Sequence, residues 1–202
     1  DSWRERLLDN RKYLLGQGQE AGPIWLGTRS NTTSTPDDYR LVIYAKGGWV
    51  LHMLRDYLLD DSDPGETRFR ELMRDFYQRF AGKRAFTEDF RAAVERATGE
   101  DMGWFFDDWV YGTDIPSCRF TWTSERVDGR WRVHGRIERS NFPAAARFPV
   151  LVRVNFSKDR FSRQRVWVTG PVTEFDLPPS ADEPTDVVFN DLESVLCDTK
   201  VR

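Results

Sequence analysis

The chain has 202 residues, 39% of them apolar and 31% charged, with 14 Phe and 8 Trp; that length holds one domain or two, and the composition is that of a core-forming chain rather than a disordered one. Thirty basic and 33 acidic residues leave a net charge of −3, divided as 16 against 20 in residues 1–112 and 14 against 13 in residues 113–202. Neither half is the basic body that phosphate neutralisation requires, and no apolar run reaches the roughly 18 residues that span a bilayer, so neither nucleic acid nor a membrane is an expected partner.

The N-terminus, Asp1-Ser2-Trp3-Arg4-Glu5-Arg6, has no initiator Met and no charged-then-apolar signal layout. The chain is therefore expected to be a piece of a longer protein. Trp3, Leu7, Leu8, Leu14 and Leu15 predict an amphipathic helix that stops at Gly16. From Gly16 to Asp38 the chain is rich in Gly, Ser, Thr and Pro around the apolar island Ile24-Trp25-Leu26, a loop of a length that is uncommon and often functional. The segment Tyr39 to Gly48 leads into a strong helix, whose Trp49, Val50, Met53, Leu54, Tyr57 and Leu58 recur on one face of a 3.6-residue period. Asp60 to Gly65 breaks it. Phe69, Leu72, Met73, Phe76 and Phe80 mark the next helix. Thr87 is the expected N-cap of another, with Glu88 and Asp89 in its first turn and Gly99 at its end. A short helix carrying Met102, Phe105, Phe106 and Trp109 stops at Gly112.

After Ile115-Pro116 the period changes to two. Cys118, Phe120 and Trp122 alternate with polar neighbours, Asp128-Gly129 is a two-residue hairpin signal, and Trp131, Val133 and Ile137 lie on the return strand. Further strands are expected at Phe148–Phe156, Arg165–Val168, Thr173–Leu177, Thr185–Phe189 and Val195–Val201, which predicts a small antiparallel β-sandwich of about seven strands. The expected architecture is α+β, a helical domain over residues 1–112 and a β-sandwich over residues 113–202. The connector Gly112-Thr113-Asp114-Ile115-Pro116 is too short for a free linker.

Chemistry is sparse on this chain. Its two histidines, His52 in the helix after Gly48 and His134 on the polar side of a strand, have no H-E-x-x-H context, and the two cysteines, Cys118 and Cys197, cannot form a metal knuckle. One disulfide or two buried thiols both fit that pair. His52 reads as partly buried and His134 as a surface residue. Arg130, Arg132, Arg136, Arg160, Arg163 and Arg165 read as an exposed sheet face offset by Glu125, Glu138 and Asp159. No phosphate-binding glycine motif and no nucleophile elbow occurs.

The informative segment is Val42-Ile43-Tyr44-Ala45-Lys46-Gly47-Gly48-Trp49-Val50. It resembles the Tyr-x-Lys-Gly-(Ala/Gly)-x-x-(Val/Leu) block of the gluzincin aminopeptidases, peptidase family M1. Downstream, Phe76 to Lys83 followed by Thr87-Glu88-Asp89-Phe90 is similar to the helix pair that follows that block. Trp104-Phe105-Phe106-Asp107-Asp108-Trp109-Val110-Tyr111-Gly112-Thr113-Asp114-Ile115-Pro116 is similar to the phrase that closes the family's catalytic domain, after which the family places a β-sandwich. The ordered set covers nearly the whole chain.

The resemblance implies the second part of a thermolysin-like catalytic domain followed by a sandwich, in a zinc peptidase that removes residues from the free N-terminus of peptides. In the family a Tyr hydroxyl donates to the tetrahedral oxyanion, and Tyr44 matches that position. A phenol, ionising near ~10, is still protonated at neutral pH and able to donate. Tyr39 and Arg29 are candidates to line the substrate cleft. Lys46 reads as structural, and Gly47 and Gly48 as allowing close helix packing. The family's zinc ligands, general base and amine-anchoring loop have no counterpart here and would lie upstream of Asp1. Zinc is thus implied for the full-length parent and none for this chain, which alone is expected to be inactive. The family's large helical C-terminal domain also has no counterpart, as in its shorter bacterial members. The implied partners are the upstream remainder of the catalytic domain and, in the parent, a peptide. Ile24, Trp25 and Leu26 are the expected apolar patch through which the fragment would self-associate. The rival reading is a non-catalytic interaction module or inactive homologue, and an upstream H-E-x-x-H with a Glu roughly twenty residues later decides between them.

Overall fold

The computed structural model describes residues 2–17, 22–34, 38–59, 66–157 and 159–201. The expected break at Asp60–Gly65 and parts of the Gly16–Asp38 loop, at 18–21 and 35–37, lie outside them. The chain divides into two units, Asp1–Thr113 and Asp114–Arg202.

The first unit is helical. Helix α1 spans Ser2–Gln17, but its buried stripe is narrower than the sequence suggests. Leu7 and Leu14 are buried, whereas Trp3, Tyr13 and Leu15 are exposed. The seam is set at Leu7, whose carbonyl accepts from the indole Nε1 of the fully buried Trp49 at 3.0 Å. A 3₁₀ segment, Ile24–Ser30, carries the apolar island, with Trp25 exposed. A π-helical turn, Arg40–Lys46, runs directly into α2, Gly47–Tyr57. Most of the expected face is buried, Trp49, Val50, Met53, Leu54 and Leu58, while Tyr57 is half-buried. His52 is buried with them, its Nε2 3.3 Å from Asp56 Oδ2 and its Nδ1 3.4 Å from Arg55.

Helices α3 (Thr67–Phe80), α4 (Thr87–Thr98) and α5 (Gly103–Trp109) follow. A chain of rings joins them: Phe76 lies 5.0 Å from both Phe80 and Phe90, and Phe90 lies 6.3 Å from Phe106. Met102, Phe105, Phe106 and Trp109 are buried as their spacing predicts. The start of α4 differs by one residue, since Phe86 and not Thr87 is the N-cap. The orphan amide there is met from inside the helix, Phe86 N–H donating to Asp89 Oδ2 at 2.8 Å, so no hydroxyl is needed in front. Gly99 closes α4 in the left-handed region, as expected.

The second unit consists, among the described residues, of seven strands: β1 (Ser117–Val127), β2 (Arg130–Ser140), β3 (Arg147–Ser157), β4 (Arg160–Thr169), β5 (Val172–Asp176), β6 (Asp186–Phe189) and β7 (Asp198–Val201). They form sheets of order β5-β2-β1-β7 and β4-β3-β6. Phe120 of the first sheet stacks on Phe189 of the second at 5.3 Å, and Cys118, Ile137, Phe148, Val152 and Val168 are fully buried around them, which makes the pair a sandwich. Asp128 and Gly129, both at positive φ, turn the β1–β2 hairpin. A Cβ at Gly135 would overlap the Phe175 ring, so this strand glycine makes room for an aromatic of the neighbouring strand.

The sandwich departs from the all-antiparallel expectation at one pair, because β7 runs parallel to β1. The connection from β6 crosses between sheets through Asn190, Leu192 and Glu193, all at positive φ, and brings β7 in alongside β1 in the same direction. Val195, Leu196 and Cys197 are buried in that crossing, and the last strand therefore begins at Asp198 instead of Val195. Asn190 holds the crossing: its Oδ1 accepts from Ser194 Oγ and Val195 N–H, and its Nδ2 donates to Val195 O. Asp191 is buried between Arg163 (2.7 Å) and Arg153 (3.6 Å). Cys118 and Cys197 are buried and are not joined in a disulfide. The arginines do not share one face: Arg130, Arg132 and Arg136 lie on β2, and Arg160, Arg163 and Arg165 on β4 of the other sheet, where Arg163 is half-buried on Asp191. Arg136 pairs with Glu138 and Glu174, and Arg160 with Asp182; His134 lies exposed on β2, 3.0 Å from Asp176.

One ion pair carries a pH signature. Arg55, near the end of α2, forks onto both carboxylate oxygens of Glu66, the N-cap of α3. Hydrogen bonding from Arg55, and then its charge, hold Glu66 below its ordinary value of 4.5. The pair's contribution is complete above that ordinary value and is lost as pH falls through the lower folded one. Urea unfolding followed by helical circular dichroism is expected to show the midpoint falling over that acid range, and Glu66→Gln is expected to flatten the fall. An unchanged acid limb in the variant would remove the pair from the stability of this unit.

Candidate active site

The segment that carries Tyr44 is the π turn. Both its ends are right-handed helical, Tyr39 at φ −53°, ψ −46° and Gly47 at φ −58°, ψ −42°, so the widening is confined to Arg40–Lys46. Turns of this kind are rare and concentrate at functional sites. Val42, Ala45 and Lys46 point inward and are buried; Tyr44 is 66% exposed. The turn is a rigid base with one phenol standing out from it.

Lys46 supplies the rigidity. Its side chain is fully buried, and Nζ donates to the Gly112 carbonyl at 2.8 Å. A buried ammonium is costly without a partner; here it reaches the carbonyl just beyond α5, where helix ends favour positive charge. A Cβ at Gly112 would run into the Asp107 and Asp108 carbonyls, so only glycine lets the chain lie this close to the end of α5. The structural reading of Lys46 stands.

Tyr39 is half-buried, and its ring meets the Tyr44 ring edge-on at 5.9 Å and 84°. Its phenol is raised above the ordinary value, first by the charge of Tyr44, then by loss of water, then by hydrogen bonding with the Tyr44 side chain. Arg29 is exposed and turns back on its own loop, donating from Nε to Leu26 O at 3.3 Å and lying 4.7 Å over the Trp25 ring. Trp25 in turn is tied to the end of α5, its N–H donating to Val110 O at 3.3 Å and its ring 6.2 Å from Tyr111. The structure thus brings Tyr39 and Tyr44 together and engages Arg29 with Trp25.

Two features differ from expectation. Gly47 and Gly48 do not permit close packing in this chain: a Cβ at Gly47 would come no nearer than 3.9 Å to Val42 O, and one at Gly48 would meet nothing within 4 Å. The pairing of Tyr39 with Tyr44 has no counterpart in a 3.6-residue reading. The only signal for it was two tyrosines five residues apart ahead of a strong helix. Among the described residues no group of three or more His, Cys, Asp and Glu could hold a metal ion. The residues present do not fit a zinc site.

Residues 18–109, which contain the π turn, α2 and the aromatic helices, match the peptidase family M1 domain. Among solved structures, the chain is similar to Legionella pneumophila aminopeptidase A, crystallised in complex with aspartic acid, with a TM-score of 0.61 and 19% identity. The likeness is one of fold and covers 79% of this chain but 18% of that one, so the chain spans under a fifth of that relative's length. No curated protein sequence matches.

The glycines at the start of α2 give a direct test. Gly48 lies inside α2 with open space where a side chain would go, and glycine inside a helix costs roughly 0.5–1 kcal/mol relative to alanine. Gly48→Ala is expected to stabilise this chain by about that amount in thermal unfolding. A loss of stability would mean that the position is packed after all.

Proposed function

We propose that the chain is the C-terminal part of an M1-type zinc aminopeptidase that hydrolyses N-terminal peptide bonds, and that it contributes the Tyr44 hydroxyl to the reaction. The observation that supports this most is the contrast within one turn: Val42, Ala45 and Lys46 are buried and anchored while Tyr44 stands 66% exposed. A phenol O–H held on a fixed base suits donation to an oxygen that gains negative charge only in the transition state, because the donor need not reorganise as the charge forms. Arg29, on the Trp25 loop, is proposed to contact the peptide, and Tyr39 to line the cleft beside Tyr44.

The described residues do not fit a metal, so under this reading the zinc ligands and the general base come from the preceding part of the protein. That part is the chain's first partner, and a peptide with a free N-terminus is the substrate. The isolated chain is expected to bind no stoichiometric zinc and to leave an aminoacyl amide uncleaved.

Tyr44→Phe in the full-length protein tests the role. The hydroxyl is lost while the ring contact with Tyr39 is kept. The expected loss is about 10²–10³ in kcat, roughly 2.7–4 kcal/mol, with zinc content unchanged and KM little moved, since the bond strengthens only as the tetrahedral species forms. Wild-type kcat in the variant would withdraw the role from Tyr44, and loss of zinc along with activity would make the residue structural.

A further inference from the structure

We propose that Tyr39 is a positioning residue for Tyr44: the π turn between them seats the Tyr44 ring on the edge of Tyr39 and so fixes where the Tyr44 hydroxyl points. The inference rests on the reading of Tyr44 as the oxyanion donor and extends it to the device that aims it.

The argument begins with helix geometry. At about 100° per residue, side chains five apart on an α-helix diverge by about 140° and cannot touch. A turn closed by i→i+5 bonds brings them back toward one face. Tyr39 and Tyr44 bracket such a turn, and their rings meet at 5.9 Å and 84°, the edge-to-face arrangement that aromatic pairs prefer. The widened turn is what makes the pair.

The pair matters because of what surrounds it. With its side chain 66% exposed, Tyr44 has little core around it to select a rotamer. The half-buried Tyr39 ring is the aromatic surface against which it rests. The turn cannot simply relax to α-helix, since that would shift Val42 and Lys46 out of their buried seats and pull Nζ from the Gly112 carbonyl. Tyr39 also keeps its proton more firmly than an ordinary phenol because Tyr44 is beside it, in accord with two hydroxyls held close together. A donor that must meet a developing oxyanion gains from such a fixed aim, since small misplacements are expensive in rate.

The test uses four variants of the full-length enzyme and a spectrum of this chain. Tyr39→Leu removes the ring and is expected to lower kcat roughly tenfold, less than loss of the donor itself, with KM within about twofold. Tyr39→Phe keeps the ring edge and is expected to recover most of that loss. In the Tyr44→Phe background Tyr39→Leu is expected to have no further effect, because it acts through the hydroxyl already removed. In the isolated chain with ¹³C-labelled tyrosine, the Tyr44 ring signal should be displaced by the Tyr39 ring, stay displaced in Tyr39→Phe and return to the free-tyrosine position in Tyr39→Leu. A Tyr44 signal already at the free position, an equal loss in both backgrounds, or a rise in KM at constant kcat would each overturn the positioning role while leaving the Tyr44 reading intact. A silent Tyr44→Phe would instead remove the reading itself.

Discussion

A buried ammonium on a backbone carbonyl organises the helical unit. Lys46 has no solvent to lean on, and its bond to Gly112 joins two stretches separated by 66 residues of sequence. The bond demands a glycine at its acceptor, where a side chain would strike α5, and a buried course for the turn at its donor. A hydrogen bond from a charged donor is stronger than one between neutral groups. The exposed position of Tyr44, two residues earlier, follows from that inward commitment.

Much of this was legible in the residues. The face of α2, from Trp49 to Leu58, and the buried Met102-Phe105-Phe106-Trp109 set follow from period alone, because each position has one side to hide. Asp128-Gly129 specified its turn because few residue pairs accept two positive φ values. The misreadings have a shared origin in contacts that no local pattern encodes. The cap of α4 moved to Phe86 because Asp89 reaches back three residues, and β7 lies parallel because of a crossing between sheets built on Asn190. The stripe of α1 narrowed because one indole, Trp49, chose where it docks.

The candidate site was legible by composition but not by geometry. Tyr44 and Lys46 stood out in the sequence, and the structure gives them opposite environments, one outward and one inward, two residues apart. An α-helical reading would have placed Tyr39 on a different face from Tyr44. What separates the two readings is the hydrogen-bond span of a single turn, and a seven-residue stretch has no propensity signature strong enough to announce it. Gly47 and Gly48 failed for the converse reason: a glycine in a helix announces space that something else must fill, and in this chain nothing does.

The parallel pairing of β7 with β1 also has a consequence for how the sandwich is made on the ribosome. One edge of β1 is covered by β2 almost as soon as the two-residue turn emerges, whereas its other edge is completed only by residues Asp198–Val201. At about 5–20 residues per second, that edge stays open for on the order of several seconds of synthesis. It presents the unpaired backbone N–H and C=O groups of Ser117–Phe120 to whatever is nearby. Until β7 covers it, an open edge of this kind is a template for wrong pairing with another strand.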